Sequence, residues 1–541
     1  MLINFGDIPG QQNLFLDFLY EFENVKNFYR HNFRNKEDYL KIFKNISESR
    51  RTDSLKLHSI IENQYSSGKR SALTAKNIEL LKDKKTLAVV TGQQLGLLGG
   101  PLYTFYKIIT AIKLSNYLSE RYDDYHFVPV FWLEGDDHDF EEVSYTGLIN
   151  ENNEYVKIPY IDEIPEDENK GSVGHLKLTE NINVFFEELA KNLRKTEYTE
   201  KLLEQLKGFY STGKTFKQAF RELLLTYFDE YGLILFDPQD SEVKSLLKPV
   251  FKQEITDFRK HSEKLVHVSA TLEETYHAQV KVRPVNLFFS TDEGRYLIEP
   301  VENDFRLKRK RKKFTQEELL TLIENEPSRF SPNVLLRPVC QDYVLPTAFY
   351  VGGPGEISYF AQALNLYGYY NVEQPILYPR SSVTIMEKNV SSLTEKYGLA
   401  VSDVFTNPDK LKTKIIESVS HNSISDIFNE TSNQIEYSFD RLKERLFELD
   451  KTISDSSAKY KQKIMHYVDE LKDKAVDAQK KKHDTVLRQI DRITVNLFPN
   501  SSLQEREVNF VMYANKYGND FIKRLFEETE INKFEHQVIN W

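Results

Sequence analysis

The chain has 541 residues, 40% of them hydrophobic and 13% aromatic, which excludes a disordered polymer and is enough apolar matter for several packed units. With 72 Lys and Arg against 82 Asp and Glu the formal net charge is −10, which disfavours nucleic acid as the main partner. There is no long uninterrupted apolar run, no basic and apolar leader in MLINFGDIPGQQ, and one cysteine, Cys340; the expectation is a cytoplasmic protein without a membrane span or internal disulfide.

From about residue 11 to 84 the pattern is helical, with Phe15, Phe18 and Leu19 at helical spacing. The apolar run Leu87 to Val90 predicts a buried strand that ends at Thr91, followed by a turn rich in glycine from Gly92 to Pro101 and a helix over about 103–120. Strand, glycine turn and helix in that order build a pocket at the carboxyl end of a parallel strand, where backbone N–H groups and the positive helix end face an anionic ligand. The spacing GQQLGLLGGP fits neither dinucleotide nor phosphate-loop fingerprints, so the ligand stays open. A second buried strand is predicted from Phe127 to Leu133.

Residues 151–230 are more charged, helical from about 181, and read as an insertion. Within them Gly208 to Thr215 matches G-x-x-x-x-G-K-[ST] letter for letter, but the preceding stretch Glu197 to Lys207 is charged and helical rather than a buried strand. A turn between helices is predicted instead, with Ser211 or Thr212 near the cap of the helix through Phe220 and Leu224. Leu233 to Phe236 is a short strand ending at Asp237, and the basic run Arg306 to Lys313 is expected to be a solvated loop or helix face. Leu345 to Tyr350 and Ile376 to Tyr378 resume the strand pattern. Further on, Ile435, Phe439, Leu442, Leu446, Leu449 and Ile453 alternate steps of four and three, continued by Ile464, Val468, Leu471 and Ala475 and by Val486, Ile490, Ile493 and Leu497. That narrow seam predicts a coiled coil over about 430–497, within one chain or between two, stopping near Phe498-Pro499-Asn500.

Two further stretches carry chemistry. Glu134 to Glu142 packs six carboxylates and His138 into nine residues at the end of the second strand. Mutual repulsion should raise some carboxyl pKa values and favour charged His138, which suits general acid–base work or the holding of an amine. Metal ligation by Asp136, His138 and Asp139, and a plain helix start capped by Asp, are the competing readings. Gly352, Gly353, Pro354 and Gly355 form a second glycine corner, with Glu356 in the first turn of the next helix. His277 and Cys340 stand alone without sequence partners.

TGQQLGLLGGPLYTFYK, VPVFWLEGDDHDFEEV, FYVGGPGEISYFAQ and LFPNSSLQEREVNF, in that order, resemble the bacillithiol biosynthesis cysteine-adding enzymes, over essentially the whole chain. The Glu134-Gly135 pair departs from the small pair, Ala-Ser or similar, at that position of the family. The resemblance implies an α/β fold: a Rossmann-like core similar to class I aminoacyl-tRNA synthetases and nucleotidylyltransferases, connecting-peptide insertions, and a C-terminal coiled coil that makes a homodimer. The layout expected is core over 1–160, helical insertion over 161–230, core over 231–300, a second insertion over 301–330, core over 331–395 and the helical region over 396–541.

It also implies a ligase that joins L-cysteine to the amine of glucosaminyl-malate, forming an amide in the last step of bacillithiol synthesis. Joining a carboxylate to an amine in water is uphill, so activation as an adenylate, with ATP or another nucleotide, is expected and no metal is. Asp137, His138 and Asp139 would bind or deprotonate the amine, backbone N–H groups of the two glycine corners would hold anionic groups, and Glu356 and Tyr359 would position substrate. The other motif positions carried over as substrate-binding are Gln93, Gln94, Gly100, Tyr103, Thr104, Trp132, Gly353 and Gly355. A metal-dependent hydrolase using the Asp-His-Asp run, or a coiled-coil scaffold without catalysis, are the alternatives.

Overall fold

The computed structural model describes residues 1–66, 68, 70–165, 168–419, 424–482 and 484–541. It divides into two compact units, Met1–Thr384 with Glu505–Ile539, and Ile385–Gln504 with Asn540–Trp541.

The first unit is built on a five-stranded parallel sheet. Strand β1 is Thr86–Gln94, helix α1 is Leu102–Ser119, β2 is His126–Glu134 and β3 is Ile234–Phe236. Leu87 to Val90 and Phe127 to Leu133 are buried throughout, as strands covered on both faces must be. β1 runs three residues past the predicted end at Thr91, because Gly92, Gln93 and Gln94 pair with Trp132, Leu133 and Glu134. A continued ladder with β2 overrides the local preference of glycine for a turn.

Between the third and fourth core strands the chain makes helix α2, Lys248–Glu273, and a separate antiparallel sheet. That sheet has strands β4 (Leu287–Thr291), β5 (Gly294–Val301), β6 (Asp304–Leu307), β7 (Lys313–Phe314) and β8 (Phe330–Pro332), in the order β7-β6-β5-β4-β8. The basic run Arg306 to Lys313 is therefore not a helix face: it ends β6, turns, and starts β7, with Lys313 opposite Arg306. Its alternate exposure, Leu307 and Phe314 inward and the cations outward, is what antiparallel pairing supplies.

Helix α3 (Arg337–Val344) then leads to β9 (Thr347–Gly352), α4 (Pro354–Tyr370) and β10 (Ile376–Pro379). The core order is β10-β9-β1-β2-β3, parallel at every pairing. The first strand is central, two are added on one side, and the chain crosses back to add two on the other. This is the Rossmann-like winding, and its switch point lies between the carboxyl ends of β1 and β9.

The turn Gly208 to Thr215 joins helices Thr199–Phe209 and Phe216–Phe228, as predicted, but the cap is Thr215 and not Ser211 or Thr212. Thr215 and Gln218 exchange side-chain to backbone hydrogen bonds, which satisfies two otherwise orphaned N–H groups.

His536, fully buried, sits between the hydroxyls of Ser382 and Thr384 at 2.7 and 2.8 Å. Burial, reinforced by Arg380 against the pull of Glu505, pushes its pKa from 6.5 to about 4. The unfolded chain takes up this proton below pH 6.5 and the folded chain only near 4, so stability is full above that window and lost as pH falls through it. The loss from His536 is on the order of 3 kcal/mol, measurable by chemical denaturation at stepped pH, and His536→Asn should flatten it.

In the second unit, helices α5 (Ile424–Leu449) and α6 (Lys451–Lys482) form an antiparallel hairpin, followed by α7 (Asp484–Leu497). Asp450 makes the reversal by accepting the N–H groups of Thr452 and Ile453. Lys461 pairs with Asp440 at 3.1 Å and Glu436 at 3.7 Å, and Ser454 donates to the carbonyl of Lys443, so the pairing is within one chain. The predicted single seam is cut at Asp450. Leu442, Leu449, Ile453, Ile464 and Leu471 are exposed, because folding back pairs only part of each helix's apolar stripe.

Candidate active site

Strand period places successive residues of β1 on opposite faces, so Gln93 and Gln94 at its rim address different neighbours. Toward β9, the ammonium of Lys107 on α1 donates to the carbonyl of Gly92 at 2.9 Å and to Gln93 Oε1 at 2.7 Å, and pairs with Glu356 Oε2 at 2.5 Å. Glu356 also accepts the Gly353 N–H at 2.9 Å and the Tyr350 hydroxyl at 2.6 Å. Arg337 donates to the hydroxyls of Tyr350 and Tyr359 at 3.2 and 3.1 Å, and its Nε is 3.9 Å from Glu134, which accepts Trp132 Nε1. One buried polar network thus joins both glycine corners across the switch point. Burial alone would raise the Glu356 carboxyl, but Lys107 and the Gly353 N–H hold it below the ordinary range. Glu134 goes the other way, raised by burial that Arg337 only partly offsets.

Toward β2, Gln94 Nε2 donates to Asp137 Oδ2 at 2.5 Å and Glu142 Oε2 at 2.8 Å. The other Asp137 oxygen accepts the N–H groups of His138 and Asp139, and Asp139 caps the four-residue helix Phe140–Val143 by accepting the Glu142 N–H. Asp136 is buried, paired with Lys244 at 2.6 Å and bonded by Gln239. Burial raises the Glu142 carboxyl, as the crowding argument expects of some member of the cluster. His138 contradicts that argument: burial and the Arg295 guanidinium lower its pKa, and Asp137 and Asp139 do not reverse this. Burial of the ring is the larger reason, and Arg295, brought from β5 to 2.9 Å from His138 Nδ1, adds to it.

The chain matches the family described as "Bacillithiol biosynthesis BshC, N-terminal Rossmann-like domain" over residues 1–381, and its "C-terminal coiled-coil domain" over 383–541. It belongs to the BshC family. Proteins named "Putative cysteine ligase BshC" are among its relatives. The one from Salinibacter ruber is 36% identical, covering 86% of this chain and 85% of its own; that from Chloroherpeton thalassium is 34% identical, covering 95% and 93%. The Bacillus cereus protein of that name is 31% identical, covering 86% and 87%.

Of the motif positions carried over from the BshC resemblance, Gln93, Gln94, Tyr103, Gly355 and Glu356 are half-buried at the rim of β1 and β9. Tyr103 Oη accepts from Gln93, and its ring lies 5.5 Å from the Arg380 guanidinium. A Cβ on Gly355 would point into open space, whereas one on Gly353 would lie 3.1 Å from Arg380 Nε, and Gly353 gives its N–H to Glu356. Tyr359 is buried behind Arg337.

Gly100, Thr104 and Trp132 are turned inward, contrary to a direct ligand role. The first glycine turn is closed. The N–H groups of Gly96, Gly99 and Gly100 bond to Gln94, Gly96 and Leu97, and Asn509 donates to the carbonyls of Leu98 and Gly100. Gly99 and Gly100 adopt φ of 82° and 72°, and a Cβ on Gly96 would sit 2.8 Å from the Gly100 Cα. These glycines serve the tightness of the turn and not an anion. Gly135 is likewise close-packed: a Cβ there would meet Gln239 Oε1 at 2.6 Å and the Gly174 Cα at 3.2 Å, so a larger residue requires Gln239 to move.

Lys107, Arg295, Arg337 and Arg380 escaped the sequence reading. A lysine inside the apolar stretch Leu102 to Ile112 is a usable signal for the first, because a buried lysine requires a partner. Arg295 and Arg380 have none, as their partners come from distant segments. A cavity lined by Arg50, Thr52, Asp342 and Thr347 lies at the amino edge of the sheet and takes no part in this site.

Proposed function

We propose that this protein is a ligase that joins the carboxyl group of L-cysteine to the amine of glucosaminyl-malate, forming an amide in bacillithiol biosynthesis. The observation that carries the reading is the network of Gln93, Lys107, Glu356, Tyr350 and Arg337, which draws two glycine corners over 250 residues apart to the switch point of a Rossmann-like sheet. Family membership supplies the substrates. Substrate polar groups meet half-buried Gln93, Tyr103 and Glu356 on the β9 side, and Gln94, Asp137, His138 and Asp139 on the β2 side. Asp137 and Asp139 act chiefly by shaping the loop, since their oxygens already hold its N–H groups.

A nucleoside triphosphate is the co-substrate class that would activate the cysteine carboxylate. The closed first turn offers it no free amides at Gly96, Gly99 or Gly100. A hydrolase reading gains no support from ligand placement: among the described residues no three His, Cys, Asp or Glu side chains converge as a metal site. Cysteine as a substrate suits the reducing cytoplasm. No described helix is long and apolar enough to cross a membrane.

The test is direct. Purified protein is given cysteine and glucosaminyl-malate, with and without ATP, and the amide-linked thiol is sought by mass. Product with ATP supports both parts of the reading, product at an undiminished rate in nucleotide-free enzyme removes the adenylate, and no product in either arm removes the ligase.

A second copy of the chain is the partner that suits the exposed Leu442, Phe447, Leu449, Ile453 and Leu471 of the hairpin. Sedimentation of the wild type should give a dimer and Leu442→Lys with Leu471→Lys a monomer; a wild-type monomer at micromolar concentration would remove this partner.

A further inference from the structure

His138 is held through one ring nitrogen. Its Nδ1 faces Arg295 Nη1 at 2.9 Å. A guanidinium is donor-only and keeps its charge at any pH a protein survives, so the nitrogen it meets is the acceptor. A neutral ring with Nδ1 accepting carries its proton on Nε2. Arg295 cannot swing away to relax this. Its Nε donates to Ser331 Oγ at 2.8 Å, its Nη2 donates to the Pro332 carbonyl at 2.9 Å, and its guanidinium carbon lies 3.7 Å from the centre of the Phe288 ring. The same ring flanks the imidazole at 5.5 Å.

The charged groups around His138 are Asp137 and Asp139 on its own loop, Arg295 on β5 and Lys308 after β6. The two carboxylates favour the imidazolium and the two cations oppose it. Asp137 spends its nearer oxygen on the N–H groups of His138 and Asp139, 3.7 Å from Nδ1, while Arg295 makes direct contact. Burial of the ring and the Arg295 contact together outweigh the two carboxylates, and the ring favours its neutral form. Yet the imidazole side chain is 45% exposed, so the side not facing Arg295 is reachable.

We propose that Arg295 is a positioning residue that locks His138 as a neutral Nε2–H donor, aimed at a substrate oxygen that gains negative charge as the amide forms. The identity of that oxygen rests on the ligase reading; the tautomer does not. His138 is then not the base that takes the amine proton. A neutral imidazole polarising an oxygen is a recognised arrangement where charge develops in the transition state.

The test uses the full chain labelled with ¹⁵N-histidine, with His138 assigned from its absence in His138→Gln. Long-range ¹H–¹⁵N spectra at pH 7 should show the Nε2–H tautomer, with a titration midpoint below 6.5. A proton on Nδ1, or an imidazolium at pH 7, overturns the proposal from the wild type alone, whatever happens to the variants. In Arg295→Met the midpoint should rise and both tautomers appear; an unchanged ring overturns the positioning role. In the assay, His138→Gln, which keeps an N–H donor, should retain at least about tenfold more kcat than His138→Ala. Equal rates in those two variants overturn the donor role. The expected tautomer without any product would sink the ligase reading and leave the lock standing, whereas product with the wrong tautomer would do the reverse.

Discussion

Replacing Lys107 by methionine should lower product formation by about 100-fold and destabilise the fold by about 3–5 kcal/mol. Lys107 is 3% exposed and all three of its donors are engaged, by Gly92, Gln93 and Glu356. Methionine fills the volume but leaves the Glu356 carboxylate buried with its charge uncompensated. Glu356 would keep two hydrogen bonds, from Gly353 and Tyr350, which bounds the damage. Glu356→Gln in the same background should therefore recover part of the stability, a coupling of about 0.5–3 kcal/mol in a double-mutant cycle. Activity should not return, because Gln93 is no longer tied to the β9 corner. Chemical denaturation and the product assay on the two singles and the double check this. Strictly additive stabilities would mean that the ion pair does not bind the two corners together.

Glu505→Gln is expected to cost about 3–5 kcal/mol. Glu505 is 1% exposed and accepts Arg380 Nη2 at 2.7 Å, Ser382 Oγ at 2.9 Å and the Val383 N–H at 2.9 Å. Burial alone would raise its pKa; Arg380, His536 and the Val383 N–H hold it below the carboxylate range instead. A depressed carboxyl gives stability that is present above its unfolded pKa, near 4.5, and lost as pH falls through the lower folded value. The wild type should thus lose stability in two stages on acidification, first from the neutral His536 between pH 6.5 and 4 and then from Glu505 below about 4.5. Denaturation curves at stepped pH should show Glu505→Gln keeping the first stage and losing the second. Arg380 is left buried with one fewer partner, and since it borders Gly353 and Tyr103 a smaller loss of rate is expected as well.

The parallel sheet was legible because its strands are buried on both faces, and continuous apolar runs such as Leu87 to Val90 and Phe127 to Leu133 have few other uses. The hairpin helices were legible because a four-three apolar repeat suits helix pairing. What pattern could not supply was how far a ladder continues, so Gln93 and Gln94 were read as turn when they are the strand rim whose alternation aims them at two different clusters. Nor could it tell a glycine turn closed by Asn509, more than 400 residues downstream, from one open to an anion.

Sequence by itself determined the kind of fold, the family, and the segments that meet at the switch point. These depend on local periodicity and on motifs a few residues long. Tertiary structure alone decided the electrostatics. His138 reads as cationic among its carboxylate neighbours, but burial and Arg295, 157 positions away, lower its pKa instead. Lys107 drew no notice in the sequence and becomes the tie between two corners. A charge is governed by what lies within a few ångströms of it, and in a folded chain most of those neighbours are remote in sequence.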